Sequence, residues 1–73
     1  MKITYDQDVD ALTIVLKAEA TIEESDESQP GVVLDYDRAG NLVSIEVLDA
    51  SKRTPDITNV EFSVIPAHDF RSA

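Results

Sequence analysis

The chain has 73 residues with no cysteine and one histidine, and its 15 acidic and 6 basic residues give a formal charge of −9. This length allows one domain, residues 1–73, in which disulfides are excluded and a zinc site at His68 is nearly so. The charge excludes nucleic-acid binding by counterion release, disfavours anionic membrane surfaces and suits a basic protein as partner.

Location and stability also follow from composition. No apolar run approaches the roughly 20 residues that span a bilayer, and the first residues turn polar without a signal-peptide core. With no cysteine, we expect a cytoplasmic location. A domain this small is marginally stable alone, so association with another chain is a candidate supplement.

The first predicted element is a β-hairpin, indicated by alternation of apolar and polar residues with period two. In its first strand Ile3 and Tyr5 share one face. After a short polar loop, the second strand presents three apolar residues on one face, which are Leu12, Ile14 and Leu16.

Residues 18–30 are rich in acidic side chains and end at Pro30-Gly31. Like charges placed close together oppose a helix, and the proline–glycine pair marks a turn. We therefore predict a long, mobile, solvated connection, with Ile22 as its one anchor in the core.

A second hairpin, over residues 32–37 and 42–48, is the clearest local prediction. Gly40 can adopt the positive φ angle that closes its turn. Its inward-facing residues are Val32, Leu34, Tyr36, Val43, Ile45 and Val47.

The last third of the chain is predicted to hold a helical stub and one more strand. Pro55 limits any helix that begins after Asp49. Residues 60–65 alternate again and predict a fifth strand with Val60, Phe62 and Val64 inward, and residues 66–73 are expected to form a frayed tail from which Phe70 packs back on the sheet. The predicted fold is thus mainly β: an antiparallel sheet of two β-hairpins plus a fifth strand, with at most a short helical turn.

The two hairpins align with each other without a gap at an offset of 31 positions. Tyr5-Asp6 then matches Tyr36-Asp37, and Ile14 matches Ile45. Two interpretations remain open: a duplicated unit related by a pseudo-twofold axis, or a chance likeness between two hairpins with similar turns.

Asp6, Asp8 and Asp10 alternate like the opening of a calcium loop. That loop needs glycine at its sixth position and an acid at its twelfth, where this chain has Ala11 and Lys17. We interpret the three aspartates as turn residues that accept hydrogen bonds from backbone amides.

Neither of two further groupings predicts catalysis. Asp35 and Asp37 flank Tyr36 and are expected to face water, whereas acid–base catalysis by paired carboxylates needs burial that separates their pKa values. His68 and Asp69 lie in the expected frayed tail, which cannot hold the geometry of a catalytic triad. We therefore expect no enzyme activity and no cofactor.

The most concrete functional hypothesis is an acidic face that binds a basic protein. A solvated acidic loop is the simpler interpretation, and a structural homo-oligomer, such as a homodimer without ligand, is the alternative role. The residues of the candidate face are Glu19, Glu23, Glu24, Asp26, Glu27, Asp35 and Asp37.

Four stretches resemble the bacterial domain-of-unknown-function 2283 family: Tyr5-Asp6, Asp10-Ala11-Leu12, the run from Pro30-Gly31 to Tyr36-Asp37, and the run from Gly40-Asn41 to Ala50-Ser51. The resemblance implies a small bacterial protein with no established activity and no catalytic residues to carry over. It also suggests an antitoxin-like role, because some members look as if they are encoded beside small proteins similar to toxins of the RelE-like fold. The acidic charge would suit such a partner, which is basic because it acts on RNA.

Overall fold

A computed structural model describes residues 1–68 as one five-stranded antiparallel sheet with a short helix. Across the sheet the strands follow the order β1-β2-β5-β4-β3. The predicted mainly-β antiparallel fold is therefore confirmed. The elements are β1 (Lys2–Asp6), β2 (Ala11–Val15), β3 (Glu24–Gln29), β4 (Val32–Tyr36), β5 (Leu42–Leu48) and α1 (Ala50–Arg53).

Both predicted hairpins form, and they are related by the offset seen in the sequence. Ile3 pairs with Ile14 in the first hairpin, and Leu34 pairs with Ile45 in the second. Ile14 and Ile45 also pair directly where β2 meets β5. A twofold axis that exchanges the two hairpins would pass through this pair, because Ile14 and Ile45 are matched by the 31-residue offset and also lie opposite each other.

The prediction for residues 18–30 is wrong, because this segment contains β3. All six residues of β3 are exposed, yet the strand pairs along β4, with Ser25 opposite Asp35. The Glu23 N–H donates to the Tyr36 carbonyl at 2.8 Å, which extends the pairing. The physical reason is that the backbone N–H and C=O groups on the outer edge of β4 need hydrogen-bond partners. A strand can supply these partners without any apolar side chain.

The fifth strand was expected at residues 60–65, and that placement is also wrong. Residues 60–68 form neither strand nor helix, and Phe62 is 74% exposed. Alternation specifies which side chains share a face, but it does not supply a neighbouring strand. The predicted helical stub is confirmed by α1, which ends two residues before Pro55. Phe70 and residues 69–73 of the expected tail lie outside the described residues.

The sheet has one apolar face and one polar face, since paired residues of neighbouring strands point to the same side. Among the described residues only two apolar side chains are buried, Val43 at 3% and Ala50 at 1% exposure. No helix within residues 1–68 has the length and apolar character needed to cross a membrane. The apolar face consists of Ile3, Tyr5, Leu12, Ile14, Val32, Leu34, Val43, Ile45 and Val47.

Candidate functional site

Four of the predicted partner-binding residues lie together at one margin of the sheet, which we call the acidic edge: Glu23, Glu24, Asp26 and Glu27. All four are exposed, and β3 is the last strand of the sheet on this side. Its outer backbone groups are therefore available to another strand. Negative charge and an open strand edge coincide at this margin.

The side chains of the acidic edge divide between the two faces of the sheet. Glu24 and Asp26 lie opposite Tyr36 and Leu34, which places them beside the apolar face. Glu27 points to the polar side, where its Oε2 accepts the Gly31 N–H at 2.8 Å. A partner strand laid along β3 would meet carboxylates on both of its faces.

Glu19 and Asp37 are placed outside this edge. Glu19 is exposed in the connection that follows β2. Asp37 lies in the turn between β4 and β5, where it accepts the Asn41 N–H at 2.8 Å and approaches Lys17 Nζ at 3.6 Å. The Asn41 N–H, outweighing partial burial, holds the pKa of the Asp37 carboxyl below its usual value. Asp37 thus stabilises its turn.

Asp35 does not belong to an accessible acidic face, and the expectation that it faces water is wrong. It is 1% exposed. Its two carboxylate oxygens accept hydrogen bonds from Ser25 Oγ and Ser44 Oγ, each at 2.6 Å, so that Asp35 joins β3, β4 and β5. The expectation failed because β3, which supplies Ser25, was interpreted as a solvated loop.

Glu46 is the neighbour of Asp35 that sequence reasoning missed. Burial raises the pKa of Asp35, but hydrogen bonds from Glu46, Ser25 and Ser44 outweigh it and leave that pKa lowered. The hydrogen bond to Asp35, together with burial and the nearby negative charge, raises the pKa of Glu46. As the pH falls, Glu46 is therefore the first of the two carboxyls to bind a proton, while Asp35 stays ionised and enclosed between its hydrogen-bond donors. The register of the second hairpin could have revealed this contact. Asp35 pairs with Ser44, and Glu46 lies two residues further along β5 on the same face of the sheet.

A second cluster surrounds Asp10 at the tip of the first hairpin. Its Oδ1 accepts the Tyr5 hydroxyl at 2.6 Å and the Ser51 N–H at 2.9 Å, while its Oδ2 accepts Ser51 Oγ at 2.7 Å. The Asp10 carbonyl accepts the Ala50 N–H at 3.0 Å, so this residue holds the first turn of α1. The hydrogen bonds from Tyr5 and Ser51 keep the pKa of Asp10 below its usual value.

The interpretation of the aspartate triplet as turn residues is confirmed for Asp6, whose Oδ1 accepts the Asp8 N–H at 2.9 Å. Across residues 1–68, no group of three or more histidine or acidic side chains is arranged to hold a metal ion. His68 is described and exposed, whereas Asp69 lies outside the described residues.

Comparison with known proteins gives one match. The family model described as "Protein of unknown function (DUF2283)" matches residues 2–51, from β1 to the second residue of α1. Searches of the curated proteins and of the solved structures found no significant match. Since the matched region is about two thirds of the chain and includes both hairpins, the acidic edge and the Asp35 cluster, the chain belongs to the DUF2283 family of proteins of unknown function.

Proposed function

We propose that this chain is a non-catalytic protein-binding module that takes a basic protein along the acidic edge. One observation carries the proposal: three carboxylates lie on the exposed strand β3 and a fourth, that of Glu23, immediately precedes it, while the outer backbone groups of β3 have no neighbouring strand within residues 1–68. In its specific form the role is antitoxin-like, with a cytoplasmic partner that is basic because it acts on RNA.

Strand addition is the binding mode that fits this edge. An extended segment of the partner would pair with the backbone of β3, and its lysine or arginine side chains would meet Glu24 and Asp26 on one face and Glu27 on the other. The net charge of −9 would also accelerate encounter with a basic surface at low ionic strength.

The edge is held in place before any partner arrives. Ser25 is fixed to Asp35 at 2.6 Å, and Glu27 is fixed to the Gly31 N–H at 2.8 Å. A strand that is already ordered loses less conformational entropy on binding than a mobile loop does. This order favours a specific complex over diffuse attraction of cations.

The test is a titration with a synthetic peptide of alternating lysine and valine, followed by fluorescence anisotropy at low and high salt. We expect the double charge reversal Glu24→Lys, Asp26→Lys to weaken binding at least about tenfold at low salt, where screening is small. The matched control is Asp8→Lys, Glu61→Lys, which changes net charge equally at two exposed acids outside the acidic edge. Equal weakening by both double variants would contradict the proposal.

The alternative role, a homo-oligomer without a ligand, concerns a different surface. It is favoured by the uncovered apolar face, and it is compatible with strand addition because the outer backbone groups of β3 lie at the margin of that face.

A further inference from the structure

The apolar face of the sheet has no second layer among the described residues. Sheets in stable domains bury one face against a helix or another sheet. Here only Val43 of that face is buried, and Ile3 remains 44% exposed. The helix available within residues 1–68 is α1, which has four residues and cannot cover five strands.

The exposed area exceeds what a compact chain presents. The accessible surface is 6046 Å², whereas a compact folded chain of this length exposes about 4,500 Å². The excess, about 1,500 Å², is larger than the roughly 800 Å² that each partner contributes to a standard stable interface. Exposed apolar side chains on the apolar face, such as Ile3, and in the segment after α1, such as Phe62, both contribute to the accessible surface.

We propose that a second copy of this chain covers the apolar face, so that two sheets pack face to face as a β-sandwich. Ile45 lies on the central strand β5 of the face, and its pairing partner Ile14 lies on the adjacent inner strand β2. Packed sheets lie about 10 Å apart, with interdigitating side chains. The dimer supplies the core that a single protomer lacks, and it leaves the outer backbone edge of β3 open.

Charge selects how the two sheets face each other. Glu24 and Asp26 border the apolar face at β3, whereas at the opposite margin the side chains of β1 on this face are Ile3 and Tyr5. A dyad across the strands would set β3 against β3 and oppose like charges at close range. A dyad parallel to the strands sets β3 of one protomer against β1 of its partner, with β5 against β5, and avoids this repulsion.

The first experiment measures molar mass by light scattering after size exclusion, over a wide range of protein concentration. We expect the wild-type chain to be a dimer that persists at high salt, because the interface is apolar. Ile3→Glu should weaken dimerisation at least tenfold, while its matched control Thr4→Glu should not. Thr4 is the next residue of the same exposed edge strand and points to the polar face. A monomer at every concentration, or equal effects of the two variants, would overturn the proposal.

The orientation is tested by reversing the introduced charge. Ile3→Lys places a cation near Glu24 and Asp26 of the partner when the dyad runs along the strands, so its dimer should be at least tenfold tighter than that of Ile3→Glu. If β1 faced β1, both variants would oppose like charges and weaken dimerisation alike.

Two further measurements separate this proposal from its rivals. Phe62→Glu changes the exposed segment after α1, and loss of the dimer in that variant but not in Ile3→Glu would assign the contact to that segment. Thermal unfolding by circular dichroism shows that each variant is folded. The Ile3→Glu variant, which should be largely monomeric, keeps every residue of the acidic edge, so peptide binding to it tests the proposed function independently of the dimer.

Discussion

Asp10 and Ser51 are joined by two hydrogen bonds across 41 positions of the chain, from the Ser51 N–H at 2.9 Å and from its hydroxyl at 2.7 Å. The same carboxylate accepts the Tyr5 hydroxyl. Asp10 also has a φ angle of 54°, a left-handed conformation that aspartate and asparagine tolerate better than alanine. One residue therefore ties β1, the first turn and α1 together.

Asp10→Ala is expected to lower the melting temperature by several degrees, since it removes these hydrogen bonds and adds backbone strain. Asp10→Asn should lower it less, because asparagine keeps an acceptor and tolerates the left-handed conformation. Asp8→Ala, at an exposed position in the same turn, is the control. Thermal unfolding by circular dichroism measures all three, and equal melting temperatures for Asp10→Ala and Asp8→Ala would refute the linking role.

Asp35 is the second structural carboxylate, and its removal is expected to be more damaging. Asp35→Ala leaves the buried Ser44 hydroxyl without its acceptor and removes the bond from Ser25 on exposed β3, which should cost about 2–3 kcal/mol. Asp35→Asn should recover part of this, since it retains one carbonyl acceptor. Urea unfolding measures both. Asp26→Ala, on the neighbouring exposed strand, should differ from wild type by about 0.5 kcal/mol or less.

The Asp35–Glu46 pair predicts an unusual dependence of stability on pH. Because the folded-state pKa of Glu46 is raised above its ordinary value of 4.5, its contribution is complete at pH below that value and is lost as pH rises through the folded-state pKa. Asp35 has the opposite sign: its pKa is lowered, so its contribution is present above 3.8 and is lost in acid.

Glu46→Gln keeps a hydrogen-bond donor next to Asp35 but cannot ionise. We expect it to raise the melting temperature by a few degrees at pH 7.5, where it removes repulsion between two carboxylates. The gain should shrink as pH falls towards 4.5, where the wild-type Glu46 is itself protonated. Melts of both proteins across this range provide the measurement. A gain that does not change with pH would contradict proton binding by Glu46 in this range.

The two hairpins could be predicted from sequence because the information that specifies them is local. Alternation fixes the faces, and Gly40, whose φ angle is 86°, marks a turn that only a few residue types can make. The 31-residue offset matches Ile14 with Ile45, and these two residues lie opposite each other where β2 meets β5. Local pattern and final register agree in this part of the chain.

Other features depend on tertiary contacts that no local pattern records. Strand β3 carries no apolar residue, and it forms because β4 offers it an edge with which to pair. Without β3, the sequence also could not predict the hydrogen bond from Ser25 that helps to enclose Asp35. Residues 60–65 show the converse, since they alternate as a strand should but do not pair with any strand of the sheet. The site at Asp10 needs Ser51, which lies far away in sequence and has no distinguishing motif.

The two glycines of the chain both have a backbone conformation that is strained for other residues, but only Gly31 has a side chain close enough to clash with an added methyl group. Both have positive φ angles, 80° at Gly31 and 86° at Gly40. A methyl group at Gly40 would meet nothing within 4 Å, so Gly40→Ala should cost only the conformational strain, about 1 kcal/mol. A methyl group at Gly31 would collide with the guanidinium of Arg53.

Gly31→Ala is therefore expected to destabilise more than Gly40→Ala. Arg53 donates from Nε to the Leu48 carbonyl at 3.1 Å and from Nη2 to the Pro30 carbonyl, and displacing it breaks both bonds. If this is the cause, the excess cost at Gly31 should vanish in an Arg53→Ala background, because the arginine is then no longer there to displace. Urea unfolding of the four proteins in this cycle decides the matter: an excess that survives without Arg53 would place the cost in the backbone of the β3–β4 turn instead.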